Sequence, residues 1–179
     1  MGIIKKVVLV IGAFVGLLLL VAAFVPKTYS VEEEITVQKP KDQVFEYIKY
    51  LKNQDDYSKW AAMDPGMEKS FKGTDGTVGF ISAWKSGNEH VGVGEQEIIG
   101  IKEGERIDYA LRFFEPFESS DESYMITEHV SDQATKVKWG FKGRMDYPMN
   151  LMLLAMDFEE AIGDDFAIGL SNLKVELEK

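Results

Sequence analysis

The stretch KVKWGFKGRMDYPMNLMLLAMDFEEAIGDDFAIGLSNLKVEL, residues 136–177, changes its hydrophobic period part-way, and that change decides the fold. Up to Lys142 it alternates. Val137, Trp139 and Phe141 fall on one side and Lys136, Lys138 and Lys142 on the other, the pattern of an antiparallel strand with one wet face. After Pro148 the period becomes helical. Leu151, Leu154, Ala155, Phe158, Ile162, Phe166, Leu173 and Leu177 make one apolar stripe opposite Asp157, Glu159, Glu160, Asp164 and Asp165. The expectation is a single long helix from Pro148 to the C-terminus, in which Gly163 and Gly169 are weak points that equally let it bend or approach the sheet closely.

Working backwards, five more strand signals precede this one, separated by glycine or polar turns. Ser123 to Val130 follows a break at Glu115-Pro116. Ile107, Tyr109, Leu111 and Phe113 share a face. Val91 to Ile101 is a longer strand, Val78, Phe80, Ser82 and Trp84 alternate, and Met67 to Lys72 is a weaker strand. Before them, Val44, Phe45, Ile48 and Leu51 have helical spacing after Pro40, which suits a first helical turn. A second short helix is expected around Asp55 to Trp60. Thr28 to Gln38 alternates as a first strand. Strand, one or two helices, about six strands and a terminal helix define an α+β domain. Its natural form is a curved antiparallel sheet of about seven strands, wrapped around the C-terminal helix so that both apolar faces are buried.

Residues 1–26 are different. Val7 to Val25 carries no charged side chain and is long enough as a helix to cross roughly 30 Å of hydrocarbon. An uncleaved signal anchor is the favoured reading. A signal peptide cut near Val21-Ala22-Ala23 is the alternative. Lys5 and Lys6 favour a cytoplasmic N-terminus, which puts residues 27–179 outside the cytoplasmic (inner) membrane as a single-pass protein. This segment inflates the overall 45% of hydrophobic residues, which falls to about 40% without it. It also hides the charge of the remainder: 18 basic residues stand against 30 acidic ones, a net charge of −12. So acidic a domain excludes phosphate-driven nucleic-acid binding. It should also be repelled by anionic lipid and stand off the membrane surface.

The order of elements, with Lys39-Pro40-Lys41-Asp42-Gln43-Val44-Phe45-Glu46-Tyr47-Ile48 after the first strand, resembles the START-like helix-grip superfamily. That superfamily includes birch-pollen-allergen-type proteins and polyketide cyclase/dehydrase-like lipid-transport domains (SRPBCC). Asn53 and Tyr57-Ser58-Lys59-Trp60 resemble its aromatic second helix, and Val91-Gly92-Val93-Gly94-Glu95 a mid-sheet strand. Glu115-Pro116-Phe117 and Tyr147-Pro148-Met149-Asn150-Leu151-Met152 resemble membrane-anchored bacterial members. The resemblance spans residues 28–178. It implies an apolar cavity between sheet and terminal helix for a lipid-like or polycyclic ligand, and it carries no catalytic motif to transfer.

Chemistry-bearing motifs are few. No cysteine is present, so thiol nucleophiles and thiolate metal sites are excluded. His90 and His129 lack zinc-site spacing, Gly92-Val93-Gly94 lacks the third glycine of a dinucleotide loop, and Gly73, Gly76 and Gly79 lack a P-loop lysine. No metal or cofactor is expected. For an enzyme of the cyclase or hydrolase type, His129, Glu97 and Glu128 are the candidate acids or bases. For a binding domain, the candidate cavity lining is Phe80, Ser82, Trp84, Gln96, Tyr109, Phe113, Trp139 and Phe141, with Ser82, Gln96 and Tyr109 as polar handles. Met152 and Met156 join them from MNLMLLAM (residues 149–156), whose flexible thioethers suit a pocket mouth, a protein interface or contact with lipid. The expected partners are a hydrophobic small molecule and the membrane through residues 7–25, with a docked protein as the remaining option.

Overall fold

The computed structural model describes residues 2–179. An apolar helix, α1 (Ile3–Ala22), is followed by strand β1 (Thr28–Val37) and helix α2 (Lys41–Lys49). A 3-10 turn (Leu51–Asn53) leads into two short helices, α3 (Gln54–Tyr57) and α4 (Lys59–Met63). Six strands follow: β2 (Glu68–Lys72), β3 (Ile81–Lys85), β4 (Val93–Lys102), β5 (Arg106–Glu115), β6 (Ser119–Ser131) and β7 (Ala134–Arg144). A second 3-10 turn (Met149–Leu151), a one-turn helix α5 (Met152–Ala155) and the long α6 (Phe158–Leu177) complete the chain.

The seven strands form one antiparallel sheet in the order β1-β7-β6-β5-β4-β3-β2. Every neighbour from β2 to β7 is joined by a hairpin, and β1 closes the far edge on β7 with Thr28 opposite Arg144 and Val37 opposite Thr135. Irregularities between Ile98 and Gly100 and between His129 and Ser131 add local bend and twist. The sheet curves, and α6 lies in its concave side against β1 and β7.

The alternation read from the sequence sets which side chains enter that concave side. Val31, Ile98, Ile107, Tyr109, Met125, Val137 and Trp139 face inward and are buried, joined by Phe166, Leu170 and Leu173 of α6. Val44, Phe45 and Ile48 of α2 close the same core. The outward positions pair charges instead. Lys138 lies 3.1 Å from Glu128 and Lys136 2.8 Å from Glu34.

Three details depart from the sequence-based expectation. Strand β3 begins at Ile81, so Val78 is not part of an alternating strand; Gly76 and Gly79 have positive φ, and the chain between them turns with Val78 exposed. The short helical region after α2 is divided at Ser58, whose extended backbone separates α3 from α4. The terminal helix begins at Phe158, not after Pro148, because Asp157 caps it: its carboxylate accepts the Glu160 N–H at 2.9 Å. Met149–Met156 is therefore a separate segment, and Leu154, placed on the stripe by periodicity, is exposed.

Candidate functional site

The inward positions are not equally packed along each strand. In the half of the sheet under α2, Ile98, Ile107, Tyr109, Met125 and Val137 are fully buried. In the other half, towards the end where α1 joins, the same strands present Gln96, Leu111, Phe113, Ser123 and Phe141, of which Leu111 and Phe113 are only partly covered and Ser123 is small. The difference leaves a cavity of about 350 Å³ between the sheet, α6 and the α3–α4 region. That volume lies in the range of small-molecule sites.

Its walls are built from two aromatic groups. Trp139 of β7 stacks on Phe166 of α6 with ring centroids 4.6 Å apart, and Trp60 of α4 meets both edge-on. On the opposite side Trp84 of β3 meets Phe113 of β5 edge-on at 5.9 Å, its indole N–H donating to the Val91 carbonyl at 3.2 Å. Such tilted aromatic contacts are favoured by the ring quadrupoles and hold the walls in place. Gly94 lets Trp84 lie flat across β4, since a Cβ there would sit 2.7 Å from the indole.

A few polar groups interrupt this surface. Gln96 is buried at 8% exposure, and Ser82 stands opposite it on β3. The Ser123 hydroxyl is occupied, donating to the Gly140 carbonyl at 2.9 Å. The Asp121 carboxylate accepts from the Ser119 hydroxyl at 2.7 Å and the Arg144 N–H at 3.0 Å. Burial, helped by the nearby Asp121 charge, pushes the Tyr29 phenol up to about 12. Gln54 of α3 also lines the cavity, and its buried amide nitrogen has no hydrogen-bond partner. That nitrogen is closed off from the cavity and lies beside the Tyr57 hydroxyl, so it braces α3 and does not face a ligand.

Ion pairs brace the same region. Lys69 of β2 reaches Asp55 of α3 at 2.6 Å, and Lys59 of α4 pairs with Asp165 of α6. The Asn172 amide donates to the Tyr57 carbonyl at 3.2 Å, tying α6 to α3.

Of the ten lining residues expected from the sequence, Ser82, Trp84, Gln96, Phe113, Trp139 and Phe141 border this cavity. Phe80 and Tyr109 do not. Both face inward but lie in the filled half, at 1% and 0% exposure. Met152 and Met156 do not border it either, because the capped start of α6 separates their segment from the helix that does. The candidate acids and bases are outside it as well. Glu97 projects to the other face of β4 and pairs with Arg112 at 2.5 Å, Glu128 pairs with Lys138, and His129 is exposed at the far end of β6. The reading as an enzyme based on those three residues loses its geometric basis. Tyr29, Gln54, Asp121 and His90 are lining residues that the sequence did not reveal. Gln54, Asp121 and His90 come from a short helix, a strand end and the β3–β4 connection, where no periodicity marks an inward position; Tyr29 shares the inward face of β1 with Val31, and alternation alone does not show that it reaches a cavity. No group of three His, Cys, Asp or Glu side chains suited to a metal ion occurs among the described residues.

A seven-stranded curved antiparallel sheet gripping a long C-terminal helix is the helix-grip α+β architecture, and the comparisons with solved structures agree. The Aha1 dimer from Colwellia psychrerythraea superposes with a TM-score of 0.57 at 13% identity, over 84% of this chain and 96% of that one. Ara h 8.0201 gives 0.56 at 15% identity, over 84% and 97%. CalU16 from Micromonospora echinospora gives 0.56 at 13% identity, over 84% and 76%. These likenesses are of fold. No family model matches the sequence, and no curated protein matches it.

Proposed function

We propose that this chain is a membrane-anchored binding domain for a hydrophobic, lipid-like or polycyclic small molecule, held in the cavity between the sheet and α6. The observation that carries the reading is the cavity itself: aromatic walls interrupted by Gln96 and Ser82, in a fold whose other half is closed by side chains. An apolar body with one or two hydrogen-bonding groups is the ligand such a surface recognises. One solved structure of like fold, DynU16, is of a protein in the dynemicin biosynthetic locus, matched at 13% identity over 84% of this chain and 47% of that one.

The anchor in this reading is α1, twenty residues long and apolar enough to cross a membrane, with only its last residue, Ala22, buried against the domain. Lys5 and Lys6 on its N-terminal side favour an extracytoplasmic domain of residues 27–179 in the cytoplasmic membrane.

The test is extraction of the full chain after reconstitution in nanodiscs of one synthetic lipid, beside a Leu111→Trp variant that fills the cavity. A small apolar molecule recovered from the wild type and lost from the variant is the expected result. Equal recovery from both, or none from either, refutes the reading.

A further inference from the structure

Helix α1 does not leave the domain through a free linker. Ala22 is fully buried, and so is Asn150. The Asn150 amide nitrogen donates to the Ala22 carbonyl at 2.8 Å and the Val25 carbonyl at 3.0 Å. Carbonyls at a helix C-terminus have no partner within the helix, so this side chain fills a need that the helix end creates. Two residues later the Lys27 carbonyl accepts the Met145 N–H at 2.8 Å, and β1 begins at Thr28 opposite Arg144. The end of α1 is thus fastened to both sides of the β7–α5 connection.

The same end of the domain is apolar where it faces solvent. Met149 (55% exposed), Leu154 (64%) and Met156 (53%) lie on the segment that carries Asn150, and Phe24 (83%) lies between the two carbonyls it binds. Tyr147 is half-exposed beside them. Phe117 (77%) tips the β5–β6 connection, which emerges at this end because Asp121 accepts the Arg144 N–H. Clustered exposed apolar groups mark an interface. Here the covalent path names the occupant: a helix that crosses a bilayer delivers these side chains to its surface, where aromatic and flexible apolar residues favour the headgroup level.

We propose that these six residues form a collar that docks into the bilayer crossed by α1, with Asn150 as the clasp that holds the domain collar-down. The half of the cavity bordered by Tyr29, Phe113 and Ser119 then lies next to lipid. The net charge of −12 opposes approach to an anionic surface; the uncharged clasp and collar act against that repulsion, at an end that also carries Lys27 and Arg144. The inference rests on α1 crossing a membrane, and it stands whether or not the cavity holds a ligand.

The absence of cysteine makes the test direct. Phe117→Cys, Leu154→Cys and, at the opposite end of β6, Val130→Cys are labelled singly with an NBD fluorophore in the full chain in phosphatidylcholine nanodiscs. The labels at 117 and 154 should emit to the blue of the label at 130 and be quenched by shallow doxyl-lipids, while 130 is not. Adding Asn150→Ala, or Asn150→Asp should the alanine variant not fold, should move both collar signals towards that of 130. Water-like emission at 117 and 154, or shielding at 154 alone, overturns the collar. Collar signals unchanged in the Asn150 variant overturn the clasp. Because the readout is lipid contact, failure here leaves the ligand extraction unaffected, and the reverse holds.

Discussion

Gly169 of α6 rests on the indole of Trp139: a Cβ at position 169 would lie 2.8 Å from the ring. That indole is also stacked on Phe166, one turn earlier on the same helix, and Tyr57 and Trp60 stand nearly perpendicular to it. The ring has nowhere to retreat except into the cavity. An alanine in a helix gains about 1 kcal/mol over glycine, but forcing an extra methyl into a packed site costs about 1–3 kcal/mol. Gly169→Ala should therefore destabilise the domain by about 1 kcal/mol, read as a lower urea midpoint at unchanged slope. Displacement of the indole should also blue-shift or broaden the tryptophan emission. A variant more stable than wild type would show that helix and sheet can separate freely.

Gln96 and Ser123 are the buried polar side chains of the cavity wall, and the Ser123 hydroxyl is already held by the Gly140 carbonyl. Replacing Gln96 with leucine removes a hydrogen-bonding group without opening the core, since the volumes are similar and Ser82 opposite can remain hydrated. A neutral hydrogen bond contributes about 0.5–1.5 kcal/mol, so Gln96→Leu should weaken retention of the co-purifying molecule by roughly 3- to 10-fold. The denaturation midpoint should hold or rise. Retention equal to wild type would place the ligand's polar end away from Gln96.

How much of this was legible in the sequence depends on where a residue sits relative to a repeating pattern. Val137, Trp139 and Phe141, or Ile107 to Phe113, alternate over whole strands, so their inward direction followed from the period alone. What the period does not carry is depth. Tyr109 and Phe113 share a face, yet one is in a closed core and the other on a cavity wall, because α2 covers only half of the sheet. The Met149–Met156 segment shows a second limit. Its apolar run continued the helical period of α6, and only the Asp157–Glu160 cap, a local signal overlooked beside that periodicity, ends it. Tyr29, Asp121 and His90 are brought to the cavity by sheet closure and turn geometry, for which one sequence gives no register.

Alkaline pH should loosen the fold through its tyrosines: burial raises the phenols of Tyr47, Tyr57 and Tyr109, and two others titrate within reach of experiment. Burial and Asp121 push the Tyr29 phenol up to about 12, and burial with the Glu32 hydrogen bond at 2.5 Å does the same for Tyr124. An unfolded tyrosine titrates near 10. Between about pH 10 and pH 12 the unfolded chain binds fewer protons than the folded one, so stability falls as pH rises through that window and is fully present below it. The midpoint should be level up to about pH 9.5 and decline above it, with phenolate absorbance at 295 nm appearing late. Glu32→Gln should bring part of the Tyr124 titration earlier, leaving the part due to burial. A midpoint independent of pH up to 12 would contradict both assignments.

The clasp on α1 also bears on processing. A cut after Ala23 would sever Phe24 and Val25 from the helix whose end Asn150 caps, exposing a buried asparagine whose side-chain oxygen already has no partner. The cut removes the hydrogen bond to Ala22 and keeps the one to Val25, a loss of about 0.5–1.5 kcal/mol, so the folded domain favours the uncut chain. Intact-mass measurement of the protein from membranes should then give a chain that includes residues 3–22, resistant to carbonate extraction. Orientation can be read on the same material. With no native cysteine, Ser131→Cys at the end of β6 should react with a membrane-impermeant maleimide in intact cells if the domain is outside, and only after lysis if it is inside. A mature chain beginning at Phe24 in the soluble fraction would remove the anchor, and the collar with it.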